Sequence, residues 1–206
     1  AMDVYCQHDC VVISDEIWSD IILPGHKHIP TQSVSEDARM RTVALYAPSK
    51  TFNLAGLQIS NIFIPNEKLR KAFQTEIDKT GYDEPNALGI VACEAAYRAG
   101  EDWLDQLRAY LLKNLNFLRN FLQEKIPQIH LVEPEGTYLV WLDCSELGIT
   151  GKELDQFIVD KAGLWLDGGS MFGPSGAAFQ RVNIACPQAT LELALNKLKA
   201  AVDNLE

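Results

Sequence analysis

The chain has 206 residues, 47% of them hydrophobic, and a net charge of −10. An acidic balance of this size argues against nucleic acid or an anionic membrane as the main partner, and no apolar run approaches the ~20 residues of a membrane span. Five scattered cysteines, Cys6, Cys10, Cys93, Cys144 and Cys186, form no Cys-x-x-Cys pair; they read as reduced thiols of a cytoplasmic protein, and no zinc-like ligand pair accompanies His8 and Cys10.

Val11-Val12-Ile13 is an unbroken apolar run. It predicts a parallel strand covered on both faces, ended by Ser14-Asp15-Glu16. Residues 19–41 predict mostly loop, with Pro24, Gly25 and Pro30 as breakers and a charged stretch at 36–41. His26 and His28 in this loop read as surface histidines. Residues 41–46 carry β-branched and aromatic side chains and predict a buried strand. Pro48 stops it, because proline has no N–H for a ladder. Lys50 therefore follows a strand's C-terminal end, where open α/β sheets place their ligands. Asn53 and Gly56 supply turn chemistry. Residues 59–64 predict another strand, closed by Pro65-Asn66.

Apolar residues at Leu69, Ala72, Phe73 and Ile77 predict a helix over 67–79, ended by Gly81. The stretch Tyr82-Asp83-Glu84-Pro85 has no assigned role, though Pro85 suits the start of the helix that runs to Gly100. Leu104, Leu107, Leu111, Leu115, Leu118 and Leu122 repeat at three or four. They predict a helix over 101–125, about 37 Å long. After Pro127 the period changes to two, with Ile129 and Leu131, then Tyr138, Val140 and Leu142, as strands around Pro134-Glu135-Gly136. Thr150-Gly151-Lys152-Glu153 reads as a capping box that opens a helix stopped by Gly163. Leu164-Trp165-Leu166 and residues 181–184 predict short strands around a flexible glycine-rich loop. Leu191, Leu195, Leu198, Val202 and Leu205 mark one face of a last helix.

One stretch carries chemistry: Ser49-Lys50-Thr51-Phe52-Asn53-Leu54-Ala55-Gly56-Leu57. A lone lysine after a strand is usually a solvated loop side chain. This motif, however, resembles the lysine motif of class I/II pyridoxal-phosphate enzymes, closest to their cystathionine β-lyase (C–S lyase) subgroup. The resemblance covers nearly all of this chain but only the later part of the family's chain. It implies an α/β protein of the fold type I PLP-dependent transferase class. Residues 1–105 would be the end of the large cofactor domain and residues 106–206 the small C-terminal α+β domain with its bridging helix, the N-terminal part being missing. That missing part normally carries a phosphate-binding turn and a ring-stacking aromatic residue.

The resemblance assigns roles residue by residue. Lys50 would form the Schiff base with pyridoxal 5'-phosphate and act as general base. Asp15, in Ser14-Asp15-Glu16-Ile17, would face the pyridine nitrogen; a turn-capping Asp is the plain alternative. Trp18 departs from the tyrosine or histidine of many relatives, because an indole donates one N–H and accepts none. It would pack beside the cofactor or serve as a core tryptophan. Ser49 would touch the cofactor phosphate or hold the turn. Ala47 and Gln58 replace a hydroxyl and an arginine that often bind the phosphate in relatives. Arg181, in Phe179-Gln180-Arg181-Val182-Asn183-Ile184, would grip the substrate α-carboxylate with its planar guanidinium; a strand-edge salt bridge is the alternative. The implied protein is a cytoplasmic homodimer with an amino-acid substrate and no metal. Its activity would be β-elimination from sulfur-containing amino acids or, with the same residues, transamination. A truncated chain that folds without activity is the third expectation.

Overall fold

The computed structural model describes residues 1–82 and 84–205; Asp83, before Pro85, and Glu206, at the end of the second predicted domain, lie outside. The chain divides into two compact units, Ala1–Gln106 and Leu107–Glu206.

The first unit contains α1 (Met2–Gln7), β1 (Val12–Asp15), α2 (Glu36–Arg41), β2 (Thr42–Tyr46), α3 (Pro48–Thr51), β3 (Asn61–Phe63), α4 (Glu67–Thr80) and α5 (Ala87–Ala99). Its three-stranded sheet has the order β1-β2-β3. The first pair is parallel, with Asp15 opposite Leu45, and β3 runs antiparallel to β2. Parallel pairing brings the C-terminal ends of β1 and β2 to one end of the sheet. The chain leaves β2 there through Pro48, at the first turn of α3, where its missing N–H costs nothing.

Two local expectations change. Residues 36–41 form α2 rather than loop. The Ser35 hydroxyl caps it by accepting from the Ala38 N–H at 3.0 Å, and Arg41 clasps Asp37 four residues back with two 2.7 Å bonds. The charges that suggest a solvated stretch are cap and i,i+4 chemistry. β1, in turn, is not covered on both faces: Ile13 is 72% exposed and Val11 56%. Its outer edge has no strand partner among the described residues.

The helix α6 (Glu101–Lys125) starts in the first unit and continues into the second. The second unit adds β4 (His130–Val132), β5 (Leu139–Asp143), α7 (Lys152–Asp160), β6 (Asp167–Gly168), β7 (Phe179–Asn183) and α8 (Gln188–Val202). Its antiparallel sheet has the order β4-β5-β7-β6. The leucine stripe of α6 is core: Leu111, Leu115, Leu118 and Leu122 are buried, as are Val140 and Leu142 of β5 and Leu191, Leu195 and Leu198 of α8. Asn114, fully buried on α6, donates from Nδ2 to the carbonyls of Ile184 (2.8 Å) and Cys186 (2.9 Å), which fixes the chain leaving β7.

Three expectations change here. α7 is present, but its N-cap is Gly151, at φ 58° and ψ −131°, with no side-chain cap bond. That conformation favours glycine, so the capping box around Thr150 does not form. Leu164-Trp165-Leu166 is not a strand; Trp165 is 92% exposed, and the strand begins at Asp167. The glycine-rich loop is two closely packed turns: a Cβ on Gly169 would lie 2.1 Å from the Gly176 carbonyl oxygen.

Candidate active site

Four of the sequence-predicted residues gather at the shared end of β1 and β2. Asp15 is the last residue of β1 and is exposed; its Oδ1 accepts the N–H of Ile17 at 3.2 Å. Lys50 lies in α3, half-buried, with Ser49 before it. The Ser49 carbonyl accepts the Leu54 N–H at 3.1 Å, which turns the chain after the helix. Trp18 stands in the turn after β1, and the Lys50 Nζ lies over its ring, 5.7 Å from the centroid. That geometry suits an ammonium on an indole face. Ala47 is buried just before α3, and Gln58 adopts the left-handed region at φ 52°.

The neighbouring Glu16 is the feature that sequence reasoning missed. It is only 6% exposed. Its Oε1 accepts from the Ser14 hydroxyl and the Thr31 N–H, each at 3.0 Å. Its Oε2 accepts from the Tyr46 hydroxyl at 2.6 Å and pairs with His28 Nε2 at 2.7 Å. Burial alone pushes such a carboxyl up, but the bonds from Tyr46, His28, Thr31 and Ser14 outweigh it and hold Glu16 down at about 2. Burial, then the bond to Glu16, raises the Tyr46 hydroxyl. His28 is therefore not a plain surface residue. The available signal was a glutamate two residues beyond a strand serine and followed by apolar Ile17 and Trp18.

A second tie links the same two segments: the Thr51 hydroxyl donates to Asp20 Oδ2 at 2.9 Å. Next to it lies a cavity of about 600 Å³ lined by Ser19, Asp20, Gln32, Tyr46, Asn61, Phe63 and Tyr97. Tyr97 is pushed up to about 12 by burial and the charge of Asp20. Strand alternation puts Tyr46, paired with Asn61, on the sheet face opposite to Leu45 and Asp15.

Arg181 belongs to the second unit, in β7. Its Nε and Nη2 both donate to Asp167 Oδ2, at 3.1 and 2.6 Å, across the β6–β7 pair. Its guanidinium lies 4.8 Å from the centroid of the Phe172 ring. The salt-bridge alternative thus describes what Arg181 does here: both of its donors meet one oxygen of Asp167. Among the described residues no cluster of three or more His, Cys, Asp or Glu side chains is arranged to hold a metal, and no helix is long and apolar enough to cross a membrane.

The residues at the end of β1 and β2 suit an aldehyde-bearing heteroaromatic ring: an amine to bond it, a carboxylate to meet its nitrogen, and an indole beside the amine. Comparison with known proteins points the same way. A family model described as "Aminotransferase class I and II" matches residues 1–198. The chain is 42% identical over 196 residues to cystathionine β-lyase PatB of Bacillus subtilis, covering 95% of this chain and 51% of that protein. Among solved structures, cystalysin from Treponema denticola, which contains pyridoxal 5'-phosphate, matches with a TM-score of 0.96, 36% identity, and coverage of 100% of this chain and 52% of that one. The PLP-bound C–S lyase from Staphylococcus hominis, with L-cycloserine, matches with a TM-score of 0.86 and 36% identity, covering 98% and 49%. The chain spans about half the length of the relatives it matches.

Proposed function

The chain belongs to the class I and II aminotransferase family, and from that membership we propose that it is the lysine-bearing half of a pyridoxal-phosphate-dependent C–S lyase. The reaction is β-elimination of a thiol from a sulfur-containing amino acid, with water then releasing pyruvate and ammonia. The observation that carries this reading is the Lys50 amine on the Trp18 ring at the sheet end that also presents Asp15. Similarity to cystathionine β-lyase and C–S lyase supports elimination as the outcome.

Pyridoxal phosphate, when bound, supplies the electron sink that lets an amino acid lose its Cα proton. Lys50 Nζ would anchor it and serve as the general base for that proton. Asp15 would meet the ring nitrogen with a charge-assisted hydrogen bond. Trp18 packs beside the amine and orients it. Ser49 is the hydroxyl available to a phosphate oxygen. Arg181 binds the substrate α-carboxylate, a role for which two parallel N–H donors are better shaped than an ammonium. Five free cysteines support a reducing, cytoplasmic setting, and the complete enzyme is proposed to work as a homodimer.

Borohydride reduction in the presence of pyridoxal phosphate, followed by peptide mapping, tests the reading. Label on Lys50 is expected. Label on Lys27 or Lys79 instead defeats the assignment.

A further inference from the structure

Trp18 and Lys50 are far apart in sequence, one in the turn after β1 and the other in the four-residue α3. Two ties join those segments. One runs from Glu16 Oε2 to the Tyr46 hydroxyl at 2.6 Å, the other from Asp20 Oδ2 to the Thr51 hydroxyl at 2.9 Å. Trp18 lies between Glu16 and Asp20, two residues from each, and Lys50 lies between Tyr46 and Thr51. The contact between indole and amine is therefore bracketed on both segments.

Glu16 does more than tie two strands. Its other bonds, from His28 Nε2 at 2.7 Å and the Thr31 N–H at 3.0 Å, pull the far end of the loop back onto β1. Ser14 closes the ring, since its hydroxyl bonds both Glu16 at 3.0 Å and the Thr31 hydroxyl at 2.7 Å. A carboxylate this buried is tolerable only because it is so fully partnered. Neutralising it weakens four bonds that converge on one side chain, so its partners are coupled through it.

We infer that Glu16 is a positioning residue: by clamping Tyr46, His28 and Thr31 together it sets the Trp18 ring against the Lys50 amine. The inference rests on the reading of Lys50 and Trp18 as cofactor residues, but the geometry it concerns is present in the chain alone.

The test uses the 206-residue chain with its lysines reductively methylated with carbon-13 formaldehyde and observed by NMR. Lys50→Arg identifies the Lys50 signal. The Trp18 ring current is expected to displace that signal from those of exposed lysines, and Trp18→Leu to return it. Glu16→Gln is expected to return it as well, with the other lysine signals unmoved. His28→Ala, at a less buried position, is expected to return it in part, and His28→Gln, which keeps a donor, to leave it displaced. If Glu16→Gln does not fold, His28→Ala decides. A Lys50 signal that stays displaced in every folded variant of Glu16 and His28 overturns the inference. Cofactor trapping on the same variants separates the two readings: a displaced, Glu16-dependent Lys50 signal with label elsewhere sinks the cofactor role of Lys50 and leaves the clamp standing.

Discussion

The Glu16 carboxyl makes the first unit sensitive to acid in a defined window. Its ordinary value is 4.5, and in the folded chain it is held at about 2. A folded-state value below the unfolded one means that the unfolded chain binds the proton first. The contribution is therefore fully present above about pH 4.5 and is lost as pH falls towards 2. At 1.36 kcal/mol per decade, the difference amounts to about 3 kcal/mol, and the burial of Glu16 leaves little solvent to screen it. Asp37 is also lowered, by its bond to Arg41, but it is exposed and belongs to the background that Glu16→Gln retains. Hydrogen exchange followed by mass spectrometry on peptides covering residues 12–31 reads the effect locally. After correction for the intrinsic pH dependence of exchange, protection should fall by about two decades between pH 4.5 and 2 in the native sequence. In Glu16→Gln the same peptides should start less protected and change little over that window. Parallel profiles in the two proteins, or protection that rises on acidification, would refute the reasoning.

Other predictions test separate parts of the molecule. Arg181→Lys in the full-length enzyme should weaken amino-acid binding by about 10- to 100-fold, the worth of a charge-assisted pair, while the spectrum of bound cofactor persists; loss of cofactor with unchanged substrate affinity would show the role is misplaced. Leu118→Ala, at a fully buried position of α6, should cost about 2–5 kcal/mol in urea unfolding of the second unit; a cost below 1 kcal/mol would mean that the stripe is not core. Ile13→Lys should reduce light scattering by concentrated protein, because Ile13 is 72% exposed beside an unpaired strand edge; equal scattering would place self-association elsewhere.

The helices were the most legible part of the fold. The leucines of α6 repeat at helical spacing and are buried where that spacing puts them, and Gly81, at φ 70°, ends α4 as a left-handed cap does. α2 was less legible, because four of its six residues are charged and its stabilisation comes from a serine cap and one clasp rather than from an apolar stripe. β6 was misplaced by apolarity: Leu164-Trp165-Leu166 has strand-like composition, but pairing with β7 falls on Asp167, whose carboxylate meets Arg181 across the ladder. Composition cannot report a partner that lies on another strand.

The same distinction separates the parts of the candidate site. Asp15 ends one apolar strand and Lys50 follows the next, so a parallel sheet puts both at one end, and the sequence suffices to expect it. The Trp18–Lys50 contact does not follow from strand ends. It depends on how the loop after β1 returns, and that path is set by Thr31, His28 and Tyr46 converging on one glutamate. Hydrophobic periodicity gives no warning of such a cluster, because a buried carboxylate is stable only through partners distant in sequence. The placement of Lys50 at the sheet end is thus a property of its strand, whereas the surface its amine meets is a property of Glu16. A substitution that spares the lysine motif entirely is therefore expected to alter the environment of the lysine, and one that alters α4, which buries none of its side chains, is expected to leave it unchanged.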